Sequence, residues 1–505
     1  MNWLARTPIE QRLSESWAAI DAPSRRAFLV LLAVNVLAFG FEMTNLTLHH
    51  DDVNHILIQD TILGYYLGRF GHGWLHYYTQ NHYVMPFLQM LEGIVAMSAY
   101  GVVVARFWGA RNTTDIVLIG AILCVFPYMA HVYQYNTAMA AYPVAHLLAA
   151  MAVVLSARAT LPWILAAAVL YVGAFSIYQG VASVAATIFV VWLLVRTVFA
   201  GANESPFASS TLRATFSVLL AVVAGGALYL AIVSSMSIPP DTIHSSDDAF
   251  HLRGALTPAA AVPDILRGTR AFFRWPEAYF PGYLKNLQLG LLAVALAVCL
   301  WLPRGPLAKA AAVALLLVAC FTPRALQLLH PKGHYHTLTL TGYALVIAAG
   351  AMIVLRCGRL LARNIAVLAA ALLVAGYIVQ CNWISTVGYL NTLAHYSALT
   401  QILAQLRSVP DAKWDGTTIA VAGRYQMPNE YPLIPATGVA TSFLDAPRMG
   451  MLARVMRERA TFVAADESTP KVREFASTRP AWPRPGSVGV VDGVGVVVLS
   501  TTPAP

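Results

Sequence analysis

The run Leu29-Val30-Leu31-Leu32-Ala33-Val34-Asn35-Val36-Leu37-Ala38-Phe39-Gly40-Phe41-Glu42-Met43, followed at once by Thr44-Asn45-Leu46-Thr47-Leu48-His49-His50-Asp51-Asp52, decides the fold. The apolar stretch 27–43 can cross the roughly 30 Å hydrocarbon core of a bilayer as a helix. It ends in imidazoles and carboxylates, which belong at a membrane surface. Ten more apolar runs follow, near 84–105, 116–134, 140–157, 162–178, 180–200, 214–236, 287–303, 308–322, 337–355 and 364–382. Of the 505 residues 58% are apolar and 11% charged, against about 25% charged in a soluble domain, and mean hydropathy is +0.61. These values exclude a soluble globular enzyme, a disordered chain and a nucleic-acid-binding module. The expected fold is an α-helical polytopic membrane protein with about 11 transmembrane helices.

The net charge of +9 is distributed so as to set an orientation. Connections on one side hold Arg6, Arg12, Arg25, Arg26, Arg106, Arg111, Arg158, Arg196, Arg213, Arg304, Lys309, Arg356, Arg359 and Arg363. The short connections on the other side hold Arg69, Arg324 and Lys332. Fourteen against three puts the N-terminus in the cytoplasm. The first 26 residues, with Glu10, Glu15 and Asp21, are too long and too acidic for the n-region of a cleavable signal, so the first span is expected to remain as an anchor. Cys124, Cys299, Cys320, Cys357 and Cys381 all lie in or beside the apolar runs. They read as small buried apolar residues, with no disulfide expected.

The expected organisation is a cytoplasmic segment 1–26, a transmembrane catalytic domain 27–382 with external loops 44–83, 237–286 and 323–336, and an external C-terminal domain 383–505. In the tail, Leu393, Tyr396, Leu399, Ile402, Leu403 and Leu406 recur at helical spacing, and apolar β-type runs follow at 417–421 and 488–499. That pattern predicts a small α/β domain of ordinary size. Gly489, Gly493 and Gly495 sit in a strand-like run with no helix after them, so they do not form a phosphate cradle. Without a nucleotide motif, a membrane enzyme must draw its group donor from the lipid phase or from the far side of the membrane.

The acids Asp51, Asp52 and Asp60 gather just beyond the first span. If this segment is helical, Asp51 and His55 share a face at i, i+4, and Asp52 meets His55 at i, i+3. Val53, Ile56 and Leu57 then form the opposite, apolar face of an interfacial helix. Two adjacent carboxylates in a partly dehydrated site can titrate apart, which poises one as a general base for a hydroxyl nucleophile. Two other readings stay open: the acids simply cap the following helix, or Asp51 and Asp52 with His49, His50 and His55 hold a metal. Arg69, in Gly68-Arg69-Phe70-Gly71, is the basic residue of this loop and fits an aspartate or a phosphate. Trp74, Tyr77 and Tyr78 suit a membrane-interface belt or a sugar-stacking surface.

A second cluster lies between the ninth and tenth runs, where Arg324, His330, Lys332, His334 and His336 have no acid among them. Arg324 can grip a phosphate with its fork and Lys332 with a point charge, while His334 and His336 can hydrogen-bond it. Snorkelling to lipid headgroups and a zinc site on the three histidines are the alternatives. Within the runs, Glu92, His131, Gln134, His146, Tyr178 and Gln179 are the polar exceptions. Such groups are costly in lipid and point to function. His131, Gln134, Tyr178 and Gln179, near the outer ends, would line a donor pocket, whereas Glu92 reads as a carboxyl linking helices.

An acid pair outside the first span, then a helix and a Gly-Arg-aromatic element, many spans and a small external tail domain resembles the serotype-converting O-antigen glucosyltransferase family. These are bacterial integral-membrane enzymes of the GT-C class. The resemblance is carried by Asp51, Asp52, His55, Gly68, Arg69 and Phe70, and by Ser176-Ile177-Tyr178-Gln179. Here Val53 stands where the family usually has an aromatic, and His55 at its basic position. The resemblance implies a GT-C-like bundle in the bacterial inner membrane, with the C-terminal domain periplasmic. It implies inverting transfer of a hexose, glucose in this family, from a polyprenyl-phosphate-linked donor to a polysaccharide or lipid-linked glycan acceptor such as O-antigen. It implies a catalytic carboxylate at Asp51 or Asp52. The donor would be held by His55, Arg69, Tyr178, Gln179, Arg324, His330, Lys332 and His334. No cofactor and no nucleic acid is expected, membrane lipids are the surroundings, and a divalent metal remains open. A flippase for a lipid-linked saccharide, expected to show repeat symmetry, and a transferase modifying lipid A or protein are the competing functions.

Overall fold

The computed structural model describes residues 8–49, 52, 68–81, 83–200, 208–236, 258–274, 279–303, 305–328, 337–409, 418–426 and 443–500. Each of the eleven apolar runs is helical. Short α1 (Ile9–Ala19) precedes α2 (Ala22–Thr44), which starts on a Pro in its first turn and on Asp21, whose side chain accepts from the Ser24 amide. That amide, more than Arg106 nearby, lowers the Asp21 pKa, as expected for a carboxylate at a helix N-terminus. Then come α3 (Phe70–Gln80), α4 (Pro86–Phe107), α5 (Thr113–Cys124), α6 (Pro127–Gln134), α7 (Ala141–Ser156), α8 (Leu161–Ile177), α9 (Val181–Val198) and α10 (Ser209–Ser235). After α11 (Pro258–Phe273) follow α12 (Gly282–Trp301), α13 (Pro306–Phe321), α14 (Tyr343–Leu355) and α15 (Leu360–Arg407). Seven of these helices are long and apolar enough to cross a membrane, or eight if α5 and α6 form one span, while α7, α8 and α14 are shorter apolar helices. The expected count of about 11 spans is therefore reached only if these shorter helices also cross.

The run 116–134 is not one straight helix. Phe126 is extended (φ −58°, ψ 130°) ahead of Pro127, and α6 leaves α5 at 51°. Proline excludes the helical conformation from the residue before it and supplies no amide. The break turns His131 and Gln134 toward the acid-bearing end of the bundle.

Several of the basic residues assigned to one side tie helix ends together or lie over tryptophan rings. Arg106 pairs with Asp21 at 3.2 Å, joining the end of α4 to the start of α2. Arg363 grips Asp115 with two nitrogens, at 2.8 and 3.3 Å, joining α15 to α5. Arg158, Arg196 and Arg359 lie over the rings of Trp163, Trp192 and Trp301, a pairing that suits the headgroup layer. Because the Asp115 side chain is almost fully buried, Arg363→Met should cost about 1–3 kcal/mol by leaving a buried acceptor short of a donor. Thermal unfolding in detergent checks this; an unchanged midpoint removes the pair from the list of supports.

Helix α15 runs 48 residues, about 72 Å, and passes through the boundary expected at 382/383 without interruption. Its far half carries the C-terminal sheet unit. The strands β1 (Thr418–Ala422), β4 (Thr461–Ala464), β5 (Val488–Val491) and β6 (Val494–Val498) lie in the order β4-β1-β6-β5. β1 is parallel to both neighbours, and β5 and β6 form a hairpin through Asp492 (φ 51°) and Gly493 (φ 83°), the Asp-Gly pair that a tight hairpin turn selects. A minor two-stranded ladder, β2 (Tyr425–Gln426) with β3 (Phe443–Leu444), and the helices α16 (Ala446–Val455) and α17 (Pro470–Thr478) complete the unit. Of the periodic tail residues, Leu399, Ile402, Leu403 and Leu406 are buried against Met449, Leu452 and Val497. Leu48, just ahead of the acid pair, belongs to the same core. The sheet unit is thus packed onto the segment that follows the first span.

Candidate active site

At the end of α2 the chain becomes extended at Asn45 and is pinned as it passes α15: the Leu48 amide donates to Thr392 Oγ1 at 3.3 Å. Asp52 is 1% exposed. Its Oδ2 accepts from the His49 amide at 2.7 Å and from Asn136 Nδ2 at 2.8 Å, while its own amide donates to the His49 carbonyl at 3.1 Å. An acid reaching back three residues to a backbone amide is the arrangement found in a helix capping box; the helix that Asp52 is expected to cap lies outside the described residues. Asn136 also donates to the Thr47 carbonyl at 2.9 Å. The His49 ring is fully buried, 3.6 Å from the ring of Tyr135 and 5.6 Å from that of His131. His131 Nδ1 in turn bonds the Thr337 hydroxyl.

Two charged residues not anticipated from sequence complete this group. Glu42, near the end of α2, is fully buried with Thr47, Ser385 and Asp52 as polar neighbours. An acid inside an apolar run is itself a signal of function. Arg448, at the start of α16, is 1% exposed and donates through Nη2 to the Leu48 carbonyl at 3.0 Å. Burial pushes its pKa down to about 10, opposed by the charges of Asp445 and Asp52.

A second polar group surrounds Arg69, which precedes α3. Arg69 donates to Gln179 Oε1 (3.3 Å) and to the Tyr142 hydroxyl (3.4 Å), and its guanidinium lies 5.3 Å from the ring centre of Tyr178. Tyr178 is stacked on Tyr142 with centroids 3.9 Å apart, and Gln179 donates to the Tyr229 hydroxyl at 2.8 Å. The structure therefore brings Arg69 together with Tyr178 and Gln179, over 100 residues further along the sequence. His72 and His76 on α3 both bond the Thr137 carbonyl. The turn between α6 and α7 thus links the two groups, with Asn136 on Asp52 and Thr137 on the histidines. Glu92 accepts from Gln80 at 2.9 Å, linking α4 to α3 as its sequence position suggested.

Arg324 forms a third group. Its Nε donates to the Tyr343 hydroxyl at 3.1 Å, and a Cβ at Gly268 on α11 would displace its guanidinium. Across the Phe272–Tyr343 stack (centroids 3.7 Å apart) lies Lys285, fully buried, donating to the Phe272 carbonyl and facing the rings of Phe272 and Phe280. Lys285 was not read from sequence. Asp51, His55, His330, Lys332 and His334 lie outside the described residues, as do most members of the two histidine sets considered for metal. Among the described residues no three His, Cys, Asp or Glu stand together as a metal site.

Fold and site define a polytopic membrane protein in which Glu42, Asp52, His49 and His131 gather where the first helices meet the C-terminal sheet unit. Residues 40–404 match the family described as Glucosyl transferase GtrII. The chain belongs to this glucosyl transferase family, in keeping with its resemblance to the O-antigen glucosyltransferases. No curated protein and no solved structure matches it.

Proposed function

We propose that the protein transfers glucose from a polyprenyl-phosphate carrier to a hydroxyl of a cell-surface glycan such as O-antigen, at the periplasmic face of the bacterial inner membrane. In this reading the acceptor oxygen attacks the anomeric carbon as the bond to the carrier phosphate breaks. The configuration inverts, the acceptor proton passes to a carboxylate, and the carrier phosphate leaves as an anion. The paired acids divide the work: Asp52, committed to His49 and Asn136, fixes the segment, and Asp51 takes the proton. Arg324, with Lys332, stabilises the leaving phosphate, since positive groups aimed at developing charge contribute most to such a step. The stacked Tyr142 and Tyr178, with Arg69 and Gln179, offer a platform for the sugar.

The observation that carries this reading is the buried, hydrogen-bonded Asp52 within a chain of a glucosyl transferase family. Membership in that family also favours transfer over flipping. The deciding experiment supplies purified protein in detergent with polyprenyl-phosphate glucose and a glycan acceptor and measures carrier-phosphate release. Release without a glycosylated product, or no release, refutes it.

The orientation has its own test. Ser14 and Ser397 are both exposed. In intact spheroplasts a cysteine at Ser397 should react with an impermeant thiol reagent and one at Ser14 should not. The reverse pattern would put the site in the cytoplasm.

A further inference from the structure

We propose that Arg448 is a positioning residue, through which the C-terminal sheet unit sets the conformation of the acid-bearing segment Leu48–Asp52 and hence the rate of glucosyl transfer. The inference rests on the transferase reading above, and it goes beyond that reading by making the sheet unit a working part of the site. Arg448 lies outside the residues 40–404 that match the family, so it is not supplied by the matched region.

Burying a guanidinium costs several kcal/mol unless charges and acceptors answer it, and a hydrophobic side chain would fill the seam between α16 and the loop more cheaply. The groups that answer Arg448 identify its task. Its Nη2 binds the Leu48 carbonyl at 3.0 Å, and the acids whose charge it feels are Asp445 and Asp52. Asp445 is held on its own side: it caps α16 by accepting from the Arg448 amide at 3.1 Å and pairs with Arg424 at 3.6 Å. Across the seam Arg448 meets the Leu48 carbonyl, the charge of Asp52 and the buried ring of His395 on α15. Leu48 itself is 1% exposed, in one core with Met449 and Leu452. The segment is therefore held from three directions: α15 through Thr392, the α6–α7 turn through Asn136, and the sheet unit through Arg448. Of the three, Arg448 carries the only formal charge. Removing it takes a donor from the Leu48 carbonyl and a positive charge from beside Asp52, and small displacements of reacting groups are expensive in rate, about 10²-fold for roughly 1 Å.

The test compares full-length Arg448→Met and Arg448→Lys with the parent in one detergent, with two readouts. Hydrogen exchange of the peptide containing residues 44–52 reports on the tether whether or not the protein is a transferase. Steady-state kinetics with polyprenyl-phosphate glucose report on the rate. The expected result is faster exchange in that peptide for Arg448→Met, kcat down about tenfold or more, KM for the donor within about twofold, and partial recovery of both in Arg448→Lys. Unchanged exchange overturns the tether. Faster exchange with unchanged kcat overturns the effect on rate and leaves the transferase reading standing, whereas a parent protein that releases no carrier phosphate defeats that reading and leaves the exchange result valid. If Arg448→Met does not fold, Arg448→Lys decides: equal kcat and exchange to the parent would refute the proposal, and a several-fold lower kcat with faster exchange would support it.

Discussion

Asp51→Asn should reduce turnover by about 10²–10⁴-fold, the contribution of a positioned general base, while expression and donor binding persist. The amide cannot accept a proton at neutral pH, yet keeps the size and one acceptor of the carboxylate. The same exchange at Asp52 acts through a different cause. Its Oδ2 accepts from two donors, the His49 amide and Asn136 Nδ2; an Asn oxygen can serve them, but the added NH₂ brings donors into a fully buried pocket and removes the charge near Arg448. Asp52→Asn should therefore lower both the thermal midpoint and kcat, and Asp51→Asn only kcat. Stopped-time assays and thermal unfolding of both variants separate the roles. Full activity in Asp51→Asn removes it as the base; loss confined to Asp52→Asn would move the base there and make Asp51 the spectator.

Arg324→Ala should weaken donor affinity by about 1.5–3 kcal/mol, the range for hydrogen bonds to a charged group. Arg324→Lys should recover only part, because a point charge lacks the two-point fit of guanidinium to phosphate. Gly268→Ala is a useful companion, since it leaves Arg324 in the sequence and pushes its guanidinium aside; its affinity should fall with that of Arg324→Ala. Donor binding by all three at one ionic strength gives the answer. If none differs from the parent, the phosphate belongs with another cation, and Arg69, already joined to Gln179, Tyr142 and Tyr178, is the first to test.

The helices were legible because lipid imposes a simple demand: a run of apolar side chains with every backbone group bonded internally. The strand character of 488–499 was legible in its β-branched residues, but its division into a hairpin was not read, although the Asp492-Gly493 pair marks the turn. The break at Phe126 was written in Pro127 and was overlooked because hydropathy averages across it. Tyr178 and Gln179 stand out as polar residues in apolar company and Arg69 as the basic residue of its loop, and the structure brings the three together. Glu42 met the same criterion and was passed over inside its run. Arg448 and Lys285 are of another kind. Arg448 sits in a polar tail where one more arginine carries no signal, and its partner Leu48 is 400 residues away. What makes it unusual is burial, which arises only when the sheet unit closes on the loop.

The unbroken α15 has a mechanical consequence. A continuous helix anchored in the bilayer at one end and bearing a folded unit at the other behaves as a lever. With roughly 25 residues, or about 38 Å, beyond the expected last span, a change of about 5° in the angle of that span would swing the sheet unit by about 3 Å. The sheet unit would follow the bilayer: thickness and lateral pressure, which set the tilt of a spanning helix, would reach the seam where Arg448 meets the Leu48 carbonyl.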